Sequence, residues 1–213
     1  MTTLLMRFRA PMMSWGDHSR FTIRDSRREP TKSAVIGLLC AALGRPRSEP
    51  VNNLTALKMG VRIDKPGVIQ CDYHTVMDGI KSGGGKGGTV ISHRYYIADA
   101  DYLVGLSDEL CLDNKVQCID LAELDIALQN PRWQLYFGRK SFVPSCPVHI
   151  LNGLVETDLE TALKEHNPPP GRLEYILEVP NSSDVRQDVP VNWQRRLFAS
   201  RCVDTQFFPL EVA

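Results

Sequence analysis

The chain has 213 residues, 43% apolar and 23% charged, with 3 Trp, 6 Tyr and 7 Phe; this is the make-up of a globular protein with one main core and excludes disordered, collagen-like and coiled-coil chains. Its longest run free of charge or strong polarity, Ala34 to Gly44, is far short of the roughly 20 residues that span a bilayer, and Arg7 and Arg9 come too early for a signal peptide, so a cytoplasmic protein with no membrane partner is expected. The 25 basic and 25 acidic residues cancel, yet residues 1–100 hold 15 Lys and Arg against 8 Asp and Glu and residues 101–213 hold 10 against 17, so a neutral total conceals a basic face suited to a polyanion or a solvated loop beside an acidic region.

Thr2 to Arg9 alternates, with Leu4, Met6 and Phe8 on one side and Leu5, Arg7 and Arg9 on the other, which predicts a strand. An arginine-rich loop, Ser14 to Glu29, precedes Pro30. The spacing from Ser33 predicts a buried helix with Thr31 or Ser33 as N-cap and Gly44 just past its end; Gly37 inside it costs about 1 kcal/mol relative to alanine, which points to close packing. Met59 to Asp64 is a short strand. Val68 to Val76 and Thr89 to Ile97 are extended arms of a projecting hairpin whose tip, Gly79 to Gly88, is glycine-rich and cationic. Asp101 to Leu106 is a strand, Asp120 to Gln129 a helix, and Val148 to Val155 a strand. Thr157-Asp158-Leu159-Glu160 reads as a capping box opening a short helix to His166, followed by the linker Asn167 to Gly171 and late strands at Arg172 to Val179 and Arg201 to Phe208. This order, β-α-β-β-α-β with an inserted hairpin, predicts an α+β ferredoxin-like domain over residues 1–155, with the hairpin at about 65–97 and an extension over 156–213 completing the sheet.

Several chemistries are weighed against these elements. Lys86 is followed by Gly87-Gly88 and then by a strand, so Ser82 to Thr89 is not a phosphate-binding loop of the nucleotide-hydrolase kind. The six cysteines (Cys40, Cys71, Cys111, Cys118, Cys146, Cys202) lie apart without a Cys-x-x-Cys pair, which predicts reduced thiols. Cys71 and His74, three apart on a strand, point to opposite faces, so neither a metal nor another cofactor is expected. His18, His74 and His93, with Tyr73, are the groups a metal-independent RNA cleavage would use, or they merely hydrogen-bond bases, phosphates or backbone. The strongest constellation mixes cations with rings: Trp15 with Arg20 to Lys32, Tyr73-His74, His93 to Tyr96, and Arg139-Lys140. Cations neutralise phosphates while rings stack on splayed bases, the manner in which single-stranded RNA is held.

A family resemblance rests on seven segments in order. Ala10-Pro11-Met12-Met13-Ser14-Trp15-Gly16 resembles the signature after the first strand of the CasD family, subunits of the type I-E CRISPR Cascade complex. Arg28 to Ser33, Gly37 to Gly44, Asp72-Tyr73-His74-Thr75-Val76, Ser92 to Tyr96, Gly138-Arg139-Lys140-Ser141 and Phe198-Ala199-Ser200-Arg201 resemble later segments of the same family. The resemblance implies a ferredoxin-like fold of the repeat-associated (RAMP) superfamily with a thumb hairpin. It implies a non-catalytic subunit that grips the 5′ handle of the CRISPR RNA, caps the backbone subunits, abuts the large subunit, and meets target DNA only through the assembled complex. Carried over by motif, the RNA contacts are Trp15, Lys32, Ser33, Tyr73, His74, Arg94, Arg139 and Lys140, with Arg24, Arg27, Arg28 and Arg201 added by charge and neighbourhood. The alternative is a metal-independent endonuclease that processes the repeat transcript. Glycines at 83–85 and 87–88, His93 and Phe142 depart from the family pattern.

Overall fold

A computed structural model describes residues 1–17, 22–80, 83–85, 87–114 and 117–209. His18, Arg20, Lys81, Ser82 and Lys86, which the sequence reading singled out, lie outside the described residues.

In chain order the elements are β1 (Thr3–Met13), β2 (Ile23–Arg24), α1 (Lys32–Leu43), α2 (Asn52–Thr55), β3 (Lys58–Lys65), β4 (Val68–Val76), β5 (Val90–Ser107), α3 (Glu109–Asn114), α4 (Leu121–Gln129), β6 (His149–Val155), α5 (Leu159–Glu165), β7 (Arg172–Val179), β8 (Asp184–Asn192) and β9 (Leu197–Pro209). The strands form one sheet in the order β6-β1-β5-β3-β7-β9-β8, with β2 and β4 added on β5. Apart from the short β2, the described pairings are antiparallel.

Period two in β1 divides the molecule. Leu4, Met6 and Phe8 enter the larger core beneath α1 and α4, while Leu5 and Leu103 face α5 with Leu159, Leu163 and Leu177. On the α5 face the sheet is thinned by a cross-strand pair of glycines, Gly60 opposite Gly105. A Cβ at Gly105 would lie 2.6 Å from Leu159 Cδ1, and one at Gly60 2.7 Å from Leu163 Cδ1. Arg62, wholly buried on that face, donates to the carbonyls of Leu163 and His166, satisfying orphan acceptors at the end of α5.

The helix ends follow the local sequence. Thr31 caps α1, its hydroxyl accepting from the Ala34 N–H, and Gly44 closes the helix at φ 72°. α5 is capped by Asp158, whose carboxylate accepts the Thr161 N–H at 3.0 Å, rather than by the expected Thr157. β5 is one 18-residue strand, where the sequence suggested two. Its inner half lies between β1 and β3; its outer half pairs with β4 from Val68↔Ala98 to Val76↔Val90 and projects as a ribbon. β8 is an unexpected sheet edge that carries Pro190, as an edge tolerates a residue without an N–H.

The expectation of free thiols fails at one pair. Cys111 is disulfide-bonded to Cys118, their Cα atoms 6.0 Å apart; Cys40, Cys71, Cys146 and Cys202 are free. No helix among the described residues is long and apolar enough to cross a membrane.

Candidate nucleic-acid interface

The start of α1 is anchored from below by charge. Lys32 Nζ lies 2.9 Å from Glu178 Oε2, and the Lys32 N–H donates to Asp188 Oδ2 at 2.7 Å. Arg201 embraces the same Asp188 through Nε (2.7 Å) and Nη2 (3.0 Å), and Arg186 reaches Glu29 at 3.1 Å. Burial lowers the Lys32 ammonium below the ordinary lysine range despite Glu178. Burial opposes ionisation of Asp188 too, but the Arg201 bonds and the Lys32 N–H outweigh it and hold the carboxyl below its usual value.

This corrects three of the expected RNA contacts. Lys32 is 1% exposed and Arg201 8%, each spent on a buried carboxylate, so neither offers charge to a phosphate. Trp15, 1% exposed, stacks on Phe8 at 5.9 Å and packs against Phe137 at 5.6 Å as part of the core.

Above that anchor lies an open cleft of about 920 Å³. Arg24, Ser33, Arg94 and Arg139 line it, and they are the expected residues that the structure brings together. β2 pairs with β5 in register Arg24↔Arg94, which sets those two side by side. Arg139 is delivered by a backbone contact that only glycine permits. Gly138 has φ 87°, and a Cβ there would meet the Ser14 carbonyl oxygen at 1.9 Å. The Arg139 guanidinium donates to the Tyr95 carbonyl at 2.8 Å and sits 5.1 Å from the Phe142 ring centre. Burial, and then the charge of Arg94, push it below the ordinary arginine range.

The cleft also contains residues that sequence reasoning missed: Arg45 and Arg47 after α1, Trp133 and Tyr136 after α4, and Trp193 in the β8–β9 turn. The signal was there in Arg45-Pro46-Arg47 directly after the helix-ending glycine, but nothing local says that the turn folds toward residues 133–139. Asp25 is the carboxylate on the lining. Among the described residues, no carboxylate forms an ion pair with Arg24, Arg45, Arg47, Arg94 or Arg139.

The remaining expected residues stand elsewhere. Arg28 and Lys140 are exposed outside the cleft, and Arg27 is paired with Asp17. Tyr73 and His74, neighbours on β4, point to opposite faces of the ribbon. His74 shares its face with Asp72, Arg94 and Ser92, whereas Tyr73 packs edge-on against His93 with 5.4 Å between ring centres, beside Cys71. His74 and His93 are therefore not brought together as an acid–base pair.

Comparison with known proteins follows the same line. The family model described as CRISPR-associated protein (Cas5) matches residues 3–204. The CRISPR system Cascade subunit CasD of Escherichia coli (strain K12) is 29% identical over 223 residues, covering 93% of this chain and 92% of that protein. A crystal structure of a Cas protein superposes with a TM-score of 0.77 at 40% identity, covering 97% of this chain and 95% of the other. A chain of a CRISPR RNA-guided surveillance complex superposes at 0.81 and 28% identity, covering 96% and 89%.

Proposed function

Because the chain belongs to the CRISPR-associated Cas5 family, we propose that it is a non-catalytic subunit of a type I-E Cascade surveillance complex in the cytoplasm and that its cleft holds the 5′ handle of the CRISPR RNA. One observation carries this reading. Five arginines line one cleft with aromatic rings, and no described carboxylate is paired with any of them. Burial first, and then the charge of Arg94, disfavour the Arg139 cation in the free protein, with Asp72 opposing them in part, and a polyanion entering the cleft would offset both.

The architecture supports the finer parts. The strand order β6-β1-β5-β3, with α1 and α4 on one face, supports reading the core as ferredoxin-like and repeat-associated. In this reading the ribbon within residues 65–97 acts as the thumb, and β7, β9 and β8, within the extension that starts at residue 156, continue the sheet from β3 outward. In this reading the chain caps the backbone subunits and touches the large subunit, and base pairing by the guide, not this chain, reads target DNA.

The test is equilibrium binding of the full chain to a guide RNA carrying the handle, titrated with salt. The logarithm of affinity falls with the logarithm of salt by about 0.7 per phosphate contacted on a single strand, and Arg24→Glu and Arg139→Glu each weaken binding and flatten that slope. Affinity indifferent to salt, or unchanged in both variants, overturns the cleft as the RNA site. Specific cleavage of the repeat RNA by the purified chain in the presence of a chelator overturns the non-catalytic assignment.

A further inference from the structure

The loop that carries Arg139 is closed by its own backbone. The Phe137 N–H donates to the Phe142 carbonyl and the Phe142 N–H to the Arg139 carbonyl, each at 2.8 Å, while the Phe137 carbonyl accepts the Ser14 N–H at 3.2 Å. Phe137 is wholly buried and Phe142 is 6% exposed, so two anchored rings fix the ends of the loop and leave Arg139 between them at the cleft.

A fixed backbone does not by itself fix the guanidinium. Burial first, and then the charge of Arg94, disfavour the Arg139 cation where it stands, with Asp72 opposing them in part. Left to these forces, a long flexible side chain turns its charged end outward into water. A carboxylate laid against it would hold it, but would also occupy the N–H fork that a phosphate needs. The chain holds it with two gentler electron-rich groups. Nη2 donates to the Tyr95 carbonyl at 2.8 Å, and the guanidinium carbon stands 5.1 Å from the centre of the Phe142 ring, within the range of cation–π attraction. That ring is braced in turn by Tyr96, 6.0 Å between centres, on the strand that also carries Arg94. A ring face draws the cation through its quadrupole and leaves the N–H groups not bonded to Tyr95 open to an incoming anion.

We propose that Phe142 is a positioning residue for RNA binding: its π-face holds the Arg139 guanidinium in the cleft beside Arg94, set for a phosphate before the RNA arrives. The proposal rests on the RNA-binding reading above and deepens it, because it assigns part of the affinity to preorganisation by a buried ring that the RNA need not touch.

The experiment changes the electrons of the ring and keeps its shape. Phenylalanines of increasing fluorine content, up to pentafluorophenylalanine, are installed at position 142 of the full chain, and each protein is titrated with a handle-bearing guide RNA at one salt concentration. Fluorine withdraws charge from the ring face, so the pull on a cation weakens stepwise. The expected result is an affinity that falls along the series, by about fivefold at its end, with Phe142→Leu at least as weak. In an Arg139→Gln background the same series is flat. Affinity unchanged along the series in the otherwise wild-type chain overturns the proposal even where Phe142→Leu weakens binding, since a loss on truncation alone marks the ring as packing. A fall that persists in Arg139→Gln overturns it as well, because the ring then acts on something other than this guanidinium. Arg24→Glu and Arg139→Glu separate the two levels: if both leave affinity unchanged, the RNA cleft itself falls, whereas if they weaken binding and the fluorine series is flat, only the role of Phe142 falls.

Discussion

Asp188 ties the first residue of α1 to the far strands of the sheet, accepting the Lys32 N–H at 2.7 Å and the Arg201 guanidinium at 2.7 and 3.0 Å. Its folded carboxyl titrates below 3.8, its ordinary value, so the stability it contributes is fully present above about pH 3.8 and is lost as pH falls through the lower folded value. Asp188→Asn leaves Arg201 buried without its main counter-charge, and the expected loss at pH 7 is about 3 kcal/mol. Chemical denaturation of wild type and variant from pH 7 down to pH 2 should show this gap close in acid; a gap that stays constant with pH would exclude the charge as its origin. The same network explains why residue type misled at Lys32. A lysine at a helix start beside serine and threonine reads as a phosphate ligand, but the carboxylate that neutralises it, Glu178, is 146 residues away and invisible in the local sequence. Trp15 misleads for a related reason, since a ring among arginines looks like a stacking platform until Phe8 and Phe137 close over it.

At the level of elements, regular periodicity was readable and edges were not. Alternation in β1 and helical spacing in α1 and α4 identify those elements, because each has one face buried against a single core. β8 escapes notice because charges and Pro190 interrupt its pattern, as suits an edge strand. The ribbon was legible as two arms, but treating Tyr73 and His74 as one contact ignored that consecutive strand residues face opposite ways. The tightest joint between elements is α5 on β3 and β5. Gly105→Ala drives a methyl to 2.6 Å from Leu159 Cδ1. Overpacking of this kind is expected to cost about 1–3 kcal/mol, read as a lower denaturation midpoint with an unchanged slope. RNA affinity should hold, since this face is opposite α1; stability equal to wild type would mean that α5 is free to shift.

Across the whole molecule, the charge asymmetry along the chain is partly consumed inside the fold. Basic residues of the first half meet acids of the second in Lys32–Glu178, Arg7–Asp101 and Lys58–Glu109. Five arginines without an ion pair among the described residues line the cleft, where the first half contributes Arg24, Arg45, Arg47 and Arg94 and the nominally acidic second half contributes Arg139 and the rings of Trp133, Tyr136 and Trp193. Composition by halves thus pointed to a polyanion partner but to the wrong division of labour, because the cleft is assembled by folding segments from residue 14 to residue 193 around one face of α1. The family match over residues 3–204 fits a site spread over so much of the chain. The most direct test is photocrosslinking of a handle-bearing guide RNA, substituted with 4-thiouridine, to the full chain, followed by peptide mapping. The account predicts adducts in the segments around Arg24, Arg45 to Arg47, Trp133 to Arg139 and Trp193; adducts confined to α5 and the outer face of β7 and β9 would contradict it.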